Sequence, residues 1–131
     1  MDDQDLRQVV GRSGLRDLRS TVLQLGGVVV IAFAGEIDLF TAPAAHSAVR
    51  QALPIGRAST TIVVVDLSEV MFLGSKGLQL LLDLADATSD RGMQLRVVPG
   101  NHHSVVRPLE ITGIDTVLAL FPTREHALTS R

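Results

Sequence analysis

The fold of this chain is decided by one stretch of its sequence, Asp66-Leu67-Ser68-Glu69-Val70-Met71-Phe72-Leu73-Gly74-Ser75-Lys76-Gly77-Leu78. A β-branched run at residues 60–65 comes directly before it and predicts a buried strand. Downstream, apolar side chains recur at roughly helical spacing, at Leu78, Leu81, Leu82, Ala85 and Met93. The stretch is therefore predicted to join a strand to a helix, with Ser75 as the N-cap of that helix.

The predicted position of Ser75 suits either a structural or a regulatory role. An N-cap hydroxyl accepts a hydrogen bond from a backbone N–H of the first turn, and capping alone accounts for a serine here. The helix N-terminus also carries about half a positive charge, which favours a phosphate on the same hydroxyl. A nucleophilic role is excluded, because residue 73 is leucine and the Gly-x-Ser-x-Gly elbow of hydrolases is absent.

Strands and helices alternate on both sides of this junction. Two strands at residues 21–25 and 28–34 flank Gly26-Gly27, which predicts a tight hairpin. The other predicted elements are a helix over 41–53, strands over 61–67 and 94–98, the helix from Ser75 to Asp90, a helix capped by Asn101, a strand over 117–120 and a short helix after Thr123. This order predicts an α/β fold with a mixed, partly parallel sheet. The serine then lies at the carboxyl end of a strand, where α/β sheets usually bind ligands.

The length and composition are those of one folded domain. The chain has 131 residues, of which 46% are apolar and 20% are charged, enough for a core without a disulfide or a metal. The first segment mixes charged residues and glycine with scattered apolar residues. Residues 1–17 are therefore predicted as a mobile or loosely docked N-terminal extension, and residues 18–131 as the domain. A monomer is expected for the free chain, since no apolar heptad appears.

The same composition excludes several classes of function. The net charge is −2 and no basic run occurs, so nucleic acid is not an expected partner. The chain lacks the run of about 18 apolar residues that spans a bilayer, and its amino terminus is acidic, unlike a signal peptide. A cytoplasmic protein without membrane attachment is expected. With no cysteine, no His-x3-His pair and no convergent acid–base set, neither a metal nor a cofactor is predicted.

Two segments together resemble the hallmark motifs of bacterial anti-sigma factor antagonists, a family built on the STAS domain. One is the stretch at residues 66–78, and the other is Gly35-Glu36-Ile37-Asp38-Leu39-Phe40-Thr41-Ala42-Pro43. Residues 109–114 are similar to the family's Leu-x-x-x-Gly-Leu/Ile ending of its third helix, and the resemblance covers residues 18–128. It implies a STAS-like single α/β domain whose mixed sheet opens with a β-hairpin and carries its helices mainly on one side.

In this family the antagonist binds an anti-sigma factor, usually a histidine-kinase-like ATPase, and so frees a sigma factor for transcription. The kinase phosphorylates a serine in the motif loop and disables its own antagonist, and Ser75 matches that serine. The resemblance implies a non-enzymatic partner switch in a stress response. Its expected partner-binding residues lie in two loops: Glu36, Asp38 and Thr41 in the first, and Phe72, Leu73, Gly74, Ser75 and Lys76 in the second.

Two residues beside Ser75 differ from the common family motif, Asp-Ser-Ser/Thr-Gly. Gly74 replaces the aspartate, which removes a carboxylate able to orient the serine or to repel a phosphate. Lys76 replaces the second hydroxyl residue and can pair with a phosphate. One alternative function is that of a STAS interaction module in a stress-sensing scaffold, where Ser75 is not phosphorylated. Another is a small-molecule-binding or enzymatic α/β domain.

Overall fold

A mixed sheet forms the centre of the computed structural model, which describes residues 4–13, 16–55 and 59–130, with side chains described at 17–53 and 59–130. Its six strands lie side by side in chain order: β1 (Gln4–Ser13), β2 (Arg16–Leu25), β3 (Val28–Ile37), β4 (Ile62–Leu73), β5 (Gln94–Val98) and β6 (Ala119–Leu120). The first three strands pair antiparallel, whereas β3 to β6 pair parallel. The predicted hairpin turn is present between β2 and β3, where Gly26 adopts a positive φ of 57°.

Each parallel strand pair is joined by a helix that crosses one face of the sheet. These helices are α1 (Ala42–Ile55), α2 (Ser75–Asp90) and α3 (His103–Thr112). Their buried apolar side chains share one core cluster with those of β3 and β4. The short α4 (Arg124–Thr129) lies on the opposite face, where Ala127 packs with Val30, Val64 and Val98 in a second, smaller cluster. The predicted α/β fold with helices mainly on one side is confirmed.

The alternating direction of side chains along each strand explains why the core has two clusters, one on each face of the sheet. In β3, Val29, Ile31 and Phe33 belong to the larger cluster, whereas Val30 belongs to the smaller one. Successive side chains of a strand point to opposite faces of the sheet. A strand covered on both faces therefore reads as a continuous apolar run, as the sequence does at residues 28–34.

Several elements differ from their predicted bounds: β3 extends to Ile37, and β6 is limited to Ala119–Leu120 because residues 114–116 form a 3-10 helix. The sequence predicts no strand before residue 21, but the structure forms β1 within the predicted extension and starts β2 at Arg16. β4 continues to Leu73 rather than ending at Leu67, because pairing with β3 carries it past the polar residues Ser68 and Glu69. The N-cap of α3 is His102, not Asn101. The division into residues 1–17 and 18–131 stays a prediction.

Candidate functional site

The two motif segments meet at the carboxyl edge of the sheet. Ile37, the last residue of β3, pairs with Leu73, the last residue of β4. Beyond this pair, the backbone N–H of Gly74 donates to the carbonyl oxygen of Ile37 over 2.8 Å. The loop at residues 38–41 and the start of α2 therefore lie next to each other.

The loop between β3 and α1 is held by hydrogen bonds to its own polar residues. The Asp38 carboxylate accepts from the backbone N–H groups of Phe40 (2.9 Å) and Thr41 (3.0 Å). In return, the Thr41 hydroxyl accepts from the Asp38 N–H over 3.0 Å and donates to the Glu36 carbonyl over 2.7 Å. Such a reciprocal arrangement satisfies the donors at the start of a helix. It leaves Leu39 and Phe40 with exposed fractions of 65% and 60%.

Two irregularities in β4 bring Met71 and Phe72 to the same edge. Relative to β3, β4 has one extra residue between Asp66 and Glu69 and another between Val70 and Phe72. After Leu67 its buried residues recur every third position instead of every second. A β-bulge redirects the side chains that follow it. Met71 and Phe72 are consecutive residues and both are exposed, at 55% and 40%.

Ser75 is the first residue of α2 and lies exposed at the surface. The prediction that it caps the helix is wrong, because the N-cap is Gly74 and no side chain caps this end. Gly74 takes this position because its N–H is bound to β3, while its carbonyl accepts from the N–H groups of Gly77 and Leu78. The Ser75 hydroxyl is thus not engaged as a cap, and exposed Lys76 follows it.

The predicted site residues divide into an outer and an inner group. Ser75, Lys76 and Phe72 are exposed, and Glu36, Asp38 and Gly74 are partly exposed at the same edge. Thr41 and Leu73 are buried, so they support the two loops from inside. Their roles in partner binding stay predictions.

The residues predicted from the sequence do not include Leu39, Phe40 and Met71, which are exposed at the same edge. Their signal was present as large apolar side chains in segments that precede helices, where polar residues are usual.

The part of the chain that the structure describes was also searched for a metal site and for a membrane-spanning helix. No group of three or more histidine and acidic residues there is arranged to hold a metal ion. None of the described helices is long and apolar enough to cross a membrane. Asp66, the one buried acid of β4, accepts from the Ser68 N–H and pairs with Arg124 over 2.7 Å, which ties α4 to the sheet.

The amino-acid sequence is similar to a known domain family and to named proteins. Residues 19–127 match the family model of the STAS domain. Over 111 residues the chain is 39% identical to the anti-sigma-F factor antagonist RsfB of Mycobacterium tuberculosis, covering 83% of this chain and 85% of that relative. It is also 33% identical over 88 residues to the anti-sigma-B factor antagonist of Listeria monocytogenes, covering 66% of this chain and 73% of that protein.

A solved structure shares the same arrangement. The crystal structure of an anti-sigma factor antagonist from Mycobacterium paratuberculosis superposes with a TM-score of 0.70 at 30% identity. The match covers 96% of this chain and 93% of that one.

Proposed function

This chain belongs to the STAS domain family, as one of its anti-sigma factor antagonists, and we propose that its partner is a kinase-like anti-sigma factor that phosphorylates Ser75. The protein is a regulatory binding protein rather than an enzyme. In the proposed cycle it binds the anti-sigma factor through the carboxyl edge of the sheet and releases a sigma factor. Phosphorylation of Ser75 then ends the binding.

The observation that carries this proposal is the position of Ser75. Its side chain is exposed at the first residue of α2 and beside the 38–41 loop, so a kinase can reach it without unfolding the domain. A phosphate there adds about −1.5 to −2 charges at neutral pH. The N-terminus of a helix favours such a charge, so the fold tolerates the modification.

The proposed effect of the phosphate is on the interface. A partner surface that fits a neutral hydroxyl must accommodate or desolvate a dianion after phosphorylation. A penalty of about 3 kcal/mol lowers affinity by about a hundredfold. Lys76 is adjacent and exposed, and pairing with the phosphate reduces this penalty without abolishing it.

The test is intact-mass spectrometry of the chain after incubation with candidate kinase-like anti-sigma factors and ATP, with binding recorded before ATP is added. Ser89→Ala is the matched control, because Ser89 is an exposed serine near the other end of α2. We expect one phosphate on the native chain and on Ser89→Ala, and none on Ser75→Ala. The phosphorylated chain should bind about a hundredfold more weakly.

Each other outcome contradicts a defined part of the proposal. A phosphate that persists on Ser75→Ala excludes Ser75 as the acceptor. Binding without phosphorylation excludes the kinase switch but keeps the antagonist role. If no kinase-like anti-sigma factor binds, the proposed partner is wrong and the scaffold alternative becomes the better hypothesis.

A further inference from the structure

We infer that the anti-sigma partner is anchored by an apolar patch made of Leu39, Phe40, Met71 and Phe72, which inserts into an apolar pocket of that partner. The inference depends on the proposed function, since it concerns the same partner and the same edge of the sheet. It adds the residues that make the contact and the main source of the binding free energy. That source is the burial of apolar surface, with charge pairing in a minor role.

The four apolar side chains of the patch remain exposed to solvent in the free domain. Their exposed fractions are 65%, 60%, 55% and 40%. They come from two segments that the Ile37–Leu73 pair and the Gly74–Ile37 hydrogen bond bring to one edge. Large apolar side chains grouped on the surface of a soluble domain mark interaction sites.

The backbone of the patch is held in its exposed arrangement before any partner binds. The Asp38 carboxylate holds the N–H groups of Phe40 and Thr41, and the β4 irregularities direct Met71 and Phe72 outward. Gly74 leaves room for the Phe72 ring, since a Cβ at residue 74 would lie 3.2 Å from its Cε2 atom. A preorganised surface loses less conformational entropy on binding, so more of the burial energy appears as affinity.

The patch is continuous with the proposed switch residue. The Phe72 ring lies against Gly74, and Ser75 follows directly. A partner that covers Phe72 therefore also covers the Ser75 hydroxyl. Apolar surroundings do not solvate a phosphate, which is why a single phosphate would release a partner bound in this way. The pocket of the partner should carry an acidic group at its rim, facing the exposed Lys76.

The experiment is isothermal titration calorimetry of the full chain with the purified anti-sigma factor, using serine substitutions. Phe40→Ser and Met71→Ser test the patch. Ile111→Ser and Val117→Ser are matched controls, because these side chains are also exposed, at 67% and 69%, but lie at the end of α3 and beyond it. All four variants replace exposed side chains, and a thermal melt of each variant tests whether the fold is retained.

We expect each patch variant to bind about tenfold or more weakly, and each control to stay within about twofold of the native chain. The heat-capacity change of binding should be clearly negative, the signature of apolar burial. The dissociation constant should change by less than about threefold between about 50 and about 500 mM salt, because apolar contacts are not screened.

Three results would overturn the inference. Native affinity in both patch variants would exclude the patch as the anchor, and the antagonist function would survive. A steep salt dependence with little heat-capacity change would assign recognition to charge. Self-association of the free chain that Phe40→Ser and Met71→Ser abolish, with partner binding unchanged, would assign the patch to a second copy. Failure of the native chain to bind any anti-sigma factor would instead contradict the proposed function itself.

Discussion

At Gly77, the lack of a side chain allows α2 to lie directly against the sheet. A Cβ at this position would come within 2.3 Å of Leu73 Cδ1 and 3.0 Å of Ile37 Cγ2, and both of those side chains are buried. Glycine in a helix interior usually costs about 1 kcal/mol relative to alanine. Here a side chain does not fit without a shift, because α2 begins directly against Leu73 and Ile37, the last residues of β4 and β3.

Replacing Gly77 by alanine should therefore destabilise the domain. We expect Gly77→Ala to lower the free energy of unfolding by about 1 to 3 kcal/mol, since the methyl group must displace Leu73 from a filled site. Urea denaturation measures this value. Lys76→Ala changes the exposed neighbouring residue and should stay within about 0.5 kcal/mol of the native chain. If Gly77→Ala is as stable as the native chain or more stable, the Leu73 side chain can move aside for the methyl group without a loss of stability.

At the level of elements, α4 depends on tertiary contacts at both ends. Its six residues are too few to form a stable helix alone. At its start, Thr123 accepts from the His126 N–H and Arg124 pairs with Asp66. At its end, buried Arg96 donates through Nη1 to the carbonyl oxygens of Ala127 (2.8 Å) and Ser130 (2.7 Å). A guanidinium on β5 thus completes the hydrogen bonding of a helix that covers the second face of the sheet.

Removal of this guanidinium should loosen the end of α4. Arg96→Met keeps an apolar stem but leaves two carbonyl groups without their donor, a loss of about 1 to 3 kcal/mol. Amide hydrogen exchange in residues 126–130 should become about tenfold faster or more. Arg107→Met, at an exposed position of α3, is the control and should leave exchange in α4 unchanged. If α4 keeps its native protection in Arg96→Met, apolar packing of Ala127 alone holds the helix.

At the scale of the whole molecule, β3 and β4 are the two central strands of the sheet. These two central strands contribute to both core clusters. β1 lies at one edge and pairs only with β2, whereas the match to the STAS family begins at residue 19. The described core begins at Leu18 on β2. The predicted domain of residues 18–131 therefore contains every described element except β1 and the first two residues of β2.

Deletion of residues 1–15 should accordingly leave a folded, active domain. We expect a single cooperative unfolding transition and partner affinity within about threefold of the full chain, because the binding edge and the described core are retained. Circular dichroism melting and calorimetry check both. Deletion of residues 122–131 is the contrasting variant, since it uncovers Val30, Val64 and Val98 and should abolish cooperative unfolding. Loss of cooperativity in the first variant would show that β1 is an integral part of the domain.

Several features of the fold follow from the sequence alone, because they depend on neighbours along the chain. Gly26-Gly27 between two apolar runs predicts the hairpin turn, and the switch from β-branched to helical spacing around residue 74 predicts the strand–helix junction. Thr123 is likewise recognisable as the cap of α4. Local backbone preferences determine such features, so a linear pattern is sufficient to find them.

Other features were decided only by the tertiary structure. Gly74 rather than Ser75 became the N-cap because its N–H bonds to Ile37 on another strand. Met71 is exposed at the surface, and it is the extra residue of β4 between Val70 and Phe72 where β4 pairs with β3. The motifs in the sequence identified the family and predict Ser75 as the switch residue, but the exposed surface around that serine depends on strand register. Two β-bulges in β4 shift that register, and they form where β4 pairs with β3, a strand distant from it in sequence.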